Sequence, residues 1–399
     1  MESRLVRRAL ACTALAFALL SPVLRAYGAA DDTAEVVRKL AQRVEQLEKE
    51  LREVKANGAV AAEATTEETQ PTYPRVRLNG FADFNYVASN QANTHAAFSV
   101  GEFDLFIKAA ISEKADFLAE TVIAADNTNT WGTDIERILF NYKENPYINI
   151  GVGRFHTAIG YYNNAFHHGT WFQTAIGRPS FLEFEDSGGL LPVHTVGVTI
   201  NGEIPVGNLG LRYVAEVGNG RDYTNFPASG RNPVQNLVDR NGQKAVNMAV
   251  TSRPTALPGL QLGTGVYLDH LSPDGLPLTS ESIWHNFLLY KNPQWELLAE
   301  FYDVQHKPEH GKSTTSTLWF AQIAHQFGPF RPYYRYTHTS VPAGDAAYQL
   351  IGGTNSNASS FGIRWDFETY AALKLQYDVT KSDEQKALDQ LTMQLALTF

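Results

Sequence analysis

The segment LDQLTMQLALTF (residues 388–399) ends the chain on an aromatic, with apolar and polar residues alternating to the last position. Leu391, Met393, Leu395, Leu397 and Phe399 fall on one side; Gln390, Thr392, Gln394, Ala396 and Thr398 fall on the other. Alternation with period two is a strand signal. Soluble domains usually end in a frayed polar tail, so a strand that runs to the terminus needs a partner within its own sheet. A closed barrel supplies one, because its last strand pairs with its first.

The same pattern recurs upstream. In RVRLNGFADFNY (75–86), Val76, Leu78, Ala82, Phe84 and Tyr86 alternate with Arg77, Asn79, Asp83 and Asn85. FGIRWDFE (361–368) and LKLQYDVT (373–380) likewise set an apolar face against a charged one. No helical period runs through 75–399. Strands are expected near 75–88, 97–112, 115–126, 133–143, 146–155, 193–202, 206–217 and 242–252. Eight more follow near 258–270, 280–291, 293–305, 313–327, 329–340, 356–367, 369–381 and 388–399. Long strands, apolar on one face and charged on the other, describe a lipid-facing wall around a wet lumen. The expected fold class is therefore all-β, a transmembrane antiparallel β-barrel of about 16 strands. Segments 133–143, 280–291 and 313–327 alternate poorly, which leaves fourteen or eighteen strands open. Connections alternate between short turns (SEKA, ENP, KNPQ, FGPF) and long loops (88–96, 156–192, 218–241, 341–355).

The other end of the chain has a different character. A basic leader, MESRLVRR, precedes the apolar run ALACTALAFALLSPVL and small residues, the pattern of a secretory signal peptide over 1–30. Cys12, the single cysteine, lies inside it, which excludes disulfide scaffolds and cysteine metal sites from the mature chain. Residues 1–30 carry four arginines against one glutamate, so their removal takes the net charge from −9 to −12. An exported chain that acidic is not built to bind nucleic acid.

Over 31–57, Val37, Leu40, Val44, Leu47, Leu51 and Val54 are spaced 3, 4, 3, 4, 3, a heptad seam for self-association through a coiled-coil helix. Residues 58–74, small and polar with two prolines, read as a linker.

The connection 156–192 is far longer than an ordinary loop and rich in aromatics. Arg154, His156, His167, His168 and Arg178 offer donors or cations; Glu183, Glu185 and Asp186 offer acceptors. Opposed clusters of this kind across an opening would order water and select polar solutes. Adjacent histidines on an extended chain point apart, so His167 and His168 do not make a metal site. No H-E-x-x-H, G-x-S-x-G or phosphate-cradling loop is present, so no catalytic role is assigned. Lumen-facing charges are expected at Arg77, Asp83, Lys108, Glu120, Arg212, Glu216, Glu296, Glu300, Arg364, Asp366 and Lys374, with Arg331 and Arg335 forming a short track on one face.

With leader, heptads, linker, strands and terminal Phe together, the chain resembles the trimeric outer-membrane porins with an N-terminal periplasmic coiled coil. That group includes the phosphate-selective porin O/P superfamily and the dicarboxylate-type porins. The local match is strongest at NIGVGRFHTAIGY (149–161), where Gly153, Arg154, Phe155 and Gly160 fit and Ala158 stands where proline is usual. The resemblance implies that 156–192 folds into the barrel as a constriction loop. It also implies a homotrimer in outer-membrane lipid, with the coiled coil in the periplasm. Phe399 resembles the terminal residue of the outer-membrane insertion signal read by the barrel-assembly machinery. The function expected is passive diffusion of small hydrophilic solutes and ions, without a cofactor and without enzymatic chemistry. A phosphate or dicarboxylate channel, and a structural barrel tethered to the cell wall, are the alternatives.

Overall fold

The structure, a computed structural model, describes residues 73–92, 94–125, 130–166, 168–221, 237–239, 241–272, 276–383 and 387–399, together with Gln42 and Gln46. The chain divides into two units, 1–72 and 73–399. Gln42 and Gln46 are helical and exposed. The heptad residues Val37, Leu40, Val44, Leu47, Leu51 and Val54 lie outside the described residues.

Residues 73–399 form a closed antiparallel barrel of sixteen strands in sequential order. Around the ring they are β1 (Arg75–Ser89), β2 (Ala97–Ala110), β3 (Ala115–Ala125), β4 (Trp131–Asn145), β5 (Ile148–His156), β6 (His194–Ile204), β7 (Leu211–Asn219) and β8 (Lys244–Ser252). Then come β9 (Leu260–Leu271), β10 (Thr279–Lys291), β11 (Trp295–Pro308), β12 (Thr314–His325), β13 (Phe330–Ser340), β14 (Ser356–Glu368), β15 (Ala371–Ser382) and β16 (Leu388–Thr398). All sixteen coincide with segments expected from the alternation. β1 pairs with β16 from Phe81↔Thr398 to Ser89↔Gln390, which closes the ring.

The terminal aromatic belongs to that seam. The Gly80 and Phe399 backbones exchange two hydrogen bonds, at 2.9 and 3.0 Å. The Phe399 ring lies over Gly80, where an added Cβ would come within 2.2 Å of it, and stacks with Phe103 at 6.0 Å. Only a residue without a side chain allows that approach.

Burial is inverted relative to a water-soluble domain. Val76, Leu78, Ile107, Phe140, Val152, Trp365 and Leu375 face outward and are exposed, while Asp83, Glu120, Glu216, Glu300, Arg364 and Lys374 are buried inside. A closed sheet pairs every strand backbone internally, so an apolar exterior on such a sheet is suited to lipid.

Register shifts interrupt simple alternation at β1–β2, β3–β4, β4–β5 and β14–β15, and the one between β3 and β4 shapes the site. β4 shifts register against β3 where Glu120 pairs with Arg137 and Thr121 with Ile135. Glu136 is the extra residue of this bulge, and its side chain is buried in the interior.

Candidate functional site

The chain between β5 and β6 turns inward and crosses the lumen. It contains a short helix, α1 (Tyr162–Ala165), and three 3₁₀ turns. Its first residues bind the wall of β7, β8, β10 and β11. The Ala158 amide donates to Glu216 at 3.0 Å, and Asn247 donates to the Ala158 carbonyl at 3.1 Å. The Gly160 amide donates to Nδ1 of His285 at 3.1 Å. The Tyr161 and Tyr162 amides donate to Glu300 at 3.2 and 2.6 Å. Gly160 has φ +67°, and a Cβ there would lie 2.1 Å from both Glu300 Oε2 and the Tyr302 hydroxyl. The left-handed backbone and the tight approach both require glycine.

Apolar packing extends these polar contacts. Ile159, Tyr162, Phe166, Phe181, Leu182, Leu190 and Leu191 from the loop meet Ile283, Leu298, Tyr302, Val304, Leu318 and Phe320 from β10–β12 in one buried cluster. A second inward segment, α2 (Ala346–Leu350), adds Tyr348 to it. Asp345 holds that segment by accepting from Ser316 at 3.1 Å and pairing with His306 at 2.7 Å. Part of the lumen is therefore a hydrophobic core.

The loop then reaches the opposite wall. Lys374 donates to the Thr170 carbonyl at 2.5 Å, and Arg364 to the Gln173 carbonyl at 2.9 Å. Gln376 donates to the Ile176 carbonyl at 3.0 Å and accepts from the Ile176 amide at 2.8 Å. Arg335 donates to the carbonyls of Gly177 and Ile176. Arg331, on the same inward face, donates to Thr174 at 3.5 Å and to Gln326 at 2.5 Å. Arg331, Arg364 and Lys374 are cross-strand neighbours in one row. Their repulsion is offset by the loop carbonyls they bind and by Asp366, 2.7 Å from Arg364.

Four of the residues expected to form opposed charges lie in one cluster. Arg154, His156, His168 and Glu185 are buried in a network at the root of the loop. His168 sits between Glu102 at 2.8 Å and Glu136 at 3.3 Å; His194 sits between Glu136 at 2.7 Å and Glu185 at 2.9 Å. Arg154 lies 3.7 Å from Glu136, and His156 lies 3.7 Å from Glu120. Glu185 also accepts from the Val193 and His194 amides at 2.9 and 2.8 Å. Burial disfavours charge on His168, but Glu102 and Glu136 outweigh it and raise its pKa well above the ordinary imidazole value. Burial pushes Glu185 up, and His194 with the amide donors more than reverses this, leaving it lowered. These groups fasten the loop to β2, β4 and β6. Glu136, delivered by the bulge, is the shared acceptor that simple alternation does not single out.

Arg178 is buried within the loop, donating to the Leu182 and Phe166 carbonyls and lying 4.5 Å over the Phe184 ring. With Glu183 and Arg335 it borders a cavity of about 530 Å³ between the loop and the inward faces of β13–β16 and β1. A second cavity, about 300 Å³, lies between the loop's first residues and β7–β10, bordered by Ala158, Tyr161, Thr251, Arg253 and Phe287. His167 and the Asp186 side chain lie outside the described residues. Among the described residues no three His, Cys, Asp or Glu side chains converge as metal ligands.

The sequence matches no protein-family model and no curated protein. The fold is similar to solved barrels. OmpF of Salmonella typhi, in a complex with daunomycin, aligns with TM-score 0.59 at 13% identity, covering 82% of this chain and 98% of that one. An anion-selective porin from Comamonas acidovorans aligns with TM-score 0.58 at 12% identity, covering 82% and 100%. The trimer form of OmpT from Vibrio cholerae aligns with TM-score 0.56 at 11% identity, again covering 82% and 100%. The chain carries the closed sixteen-stranded barrel fold found in outer-membrane porins.

Proposed function

We propose that the chain is an outer-membrane diffusion channel in which residues 157–193 set the constriction. The observation that carries this reading is the loop itself, hydrogen-bonded to Glu300 on one wall and to Arg335 and Gln376 on the other. A barrel wide enough for sixteen strands would otherwise hold a broad aqueous channel. The loop divides that space into cavities on its two flanks, and solutes pass where it leaves the wall uncovered. The apolar exterior and charged interior support placement in lipid. Passage is passive, with no covalent step and no cofactor.

The functional unit in this reading is a homotrimer. The trimeric form of one similar barrel supports it, as does the heptad seam over 37–54, which would close in the periplasm once three barrels raise the local helix concentration. The insertion-signal role of Phe399 belongs to the same reading. The test is conductance of the refolded protein in a planar bilayer. Steps arriving in triplets are expected; properly inserted barrels that conduct nothing would reject transport and leave a tethering role.

A further inference from the structure

We infer that the cavity between the loop and β13–β16 selects uncharged, hydroxyl-rich solutes and turns anions away; this rests on the channel reading above. Twelve of its 23 bordering residues are Ser, Thr, Asn or Gln, and five are charged. The strand register arranges the wall in rows. Gln376 lies beside Thr392, Ser360 beside Asp378 and then Gln390, and Thr337 beside Ala358 and then Thr380.

Two cations of this wall, Lys374 and Arg364, lie outside the cavity lining. Lys374 and Arg364 occupy the next row toward the terminal end of the barrel, beneath Thr170–Gln173 of the loop, and are 0% and 5% exposed. Arg335 and Arg178 border the cavity but are buried, each donating to loop carbonyls, Arg335 to Gly177 and Ile176 and Arg178 to Phe166 and Leu182. The half-buried charges are acids: Asp378, Glu183 and Glu102, the last already bound to His168. Among the charged residues that border the cavity the carboxylates are the more exposed, and like charge at short range is strongly unfavourable at low dielectric.

A hydroxyl-rich neutral solute meets a different surface. Each hydroxyl both donates and accepts, as do the amide and hydroxyl side chains of the wall, so hydrogen bonds to water are exchanged rather than lost. No aromatic face is offered for stacking: the Phe184 ring contacts His168 at 4.4 Å and Arg178 at 4.5 Å. Binding is therefore by exchangeable hydrogen bonds alone, weak enough to release the solute, as conduction requires.

The test uses the full refolded protein in proteoliposomes. Isosmotic swelling is recorded with arabinose, succinate and phosphate, alongside the reversal potential under a potassium chloride gradient. Arabinose is expected to enter several-fold faster than either anion, with a reversal potential of cation-selective sign. Gln390→Leu combined with Thr392→Val is expected to slow arabinose relative to potassium at least threefold. Asp378→Asn combined with Glu183→Gln is expected to narrow the gap between arabinose and succinate. Succinate or phosphate entering faster than arabinose overturns the inference while leaving the channel intact. So does an arabinose-to-potassium ratio indifferent to the first double variant. Inserted barrels that pass neither solute nor current overturn the channel reading, and this inference with it.

Discussion

Arg335 donates from Nη1 to the Gly177 carbonyl at 2.8 Å and from Nη2 to the Ile176 carbonyl at 3.2 Å, joining β13 to the far end of the inserted loop. Hydrogen bonds from a charged donor contribute about 1.5–3 kcal/mol each when buried. Arg335→Ala should therefore loosen the loop at Gly177 without disturbing the strand ladder, while Gln376 still holds Ile176 and Arg331 still holds Thr174. The expected result is a larger single-channel conductance, with new protease cleavage near Gly177. Arg335→Lys, which lacks the forked geometry, should fall between. Conductance and cleavage identical to the parent protein would show that the loop is held elsewhere.

A separate prediction concerns the seam that closes the ring. Gly80 and Phe399 are joined by two backbone hydrogen bonds, and the aromatic ring covers the glycine. Deleting Phe399 removes both bonds and the stacking on Phe103. Gly80→Val keeps the bonds but drives a side chain into the ring. Both variants should unfold at a lower temperature in a heat-dependent gel-mobility shift, the deletion also inserting more slowly into lipid. If Gly80→Val melts with the parent protein, the ring does not need that position.

Much of the wall is legible in the pattern of residues alone. Strict alternation locates the strands, since one face meets lipid and the other the lumen around most of the ring. The three segments that alternate weakly have two physical causes. In β10 and β12 the inward positions are themselves apolar, as at Ile283, Leu289, Leu318 and Phe320, because they pack against the loop instead of water. In β4 the bulge at Glu136 interrupts the period. The site is less legible. Charged residues can be placed by position, but whether Arg364 meets solvent or a loop carbonyl, and His168 solvent or the Glu102 carboxylate, depends on contacts 193 and 66 residues away. The polar wall of Ser360, Gln376, Asp378 and Gln390 carries no motif and becomes visible only through register.

The root of the loop should respond to pH in two directions. His168 has a raised pKa, so its stabilising contribution is complete below the unfolded value of roughly 6.5 and fades as pH climbs through the folded one. Glu185 has a lowered pKa, so its contribution is complete above the unfolded value of roughly 4.3 and fades as pH falls through the folded one. Loop anchoring is therefore firmest between about pH 4.3 and 6.5. Current noise from loop motion, recorded across pH 3 to 9, should be lowest in that window. His168→Gln should flatten the alkaline limb and Glu185→Gln the acid limb. A profile unchanged in both variants would assign the pH response to other groups.

The apolar core inside the lumen makes the last prediction. Phe181 is 1% exposed and packs edge-on against Tyr302 with ring centroids 5.7 Å apart, and it lies 6.5 Å from Phe320. Truncating a buried Phe to Ala typically costs about 3–5 kcal/mol through lost transfer energy and the cavity left behind. The cost here falls on loop docking, because the sixteen-strand ladder does not use this side chain. Phe181→Ala should therefore leave the barrel resistant to detergent while the loop becomes a protease target between Gly177 and Gly189. Conductance should rise, and more than in Arg335→Ala, since the core holds loop residues on both sides of the single Ile176–Gly177 contact made by the arginine. The two changes act through separate contacts, so the double variant should approach the sum of their effects. Phe181→Leu, which keeps most of the volume, should recover most of the protection. If the alanine variant instead unfolds the whole barrel, loop and wall form one cooperative unit, and the lumenal core supports the fold as well as the constriction.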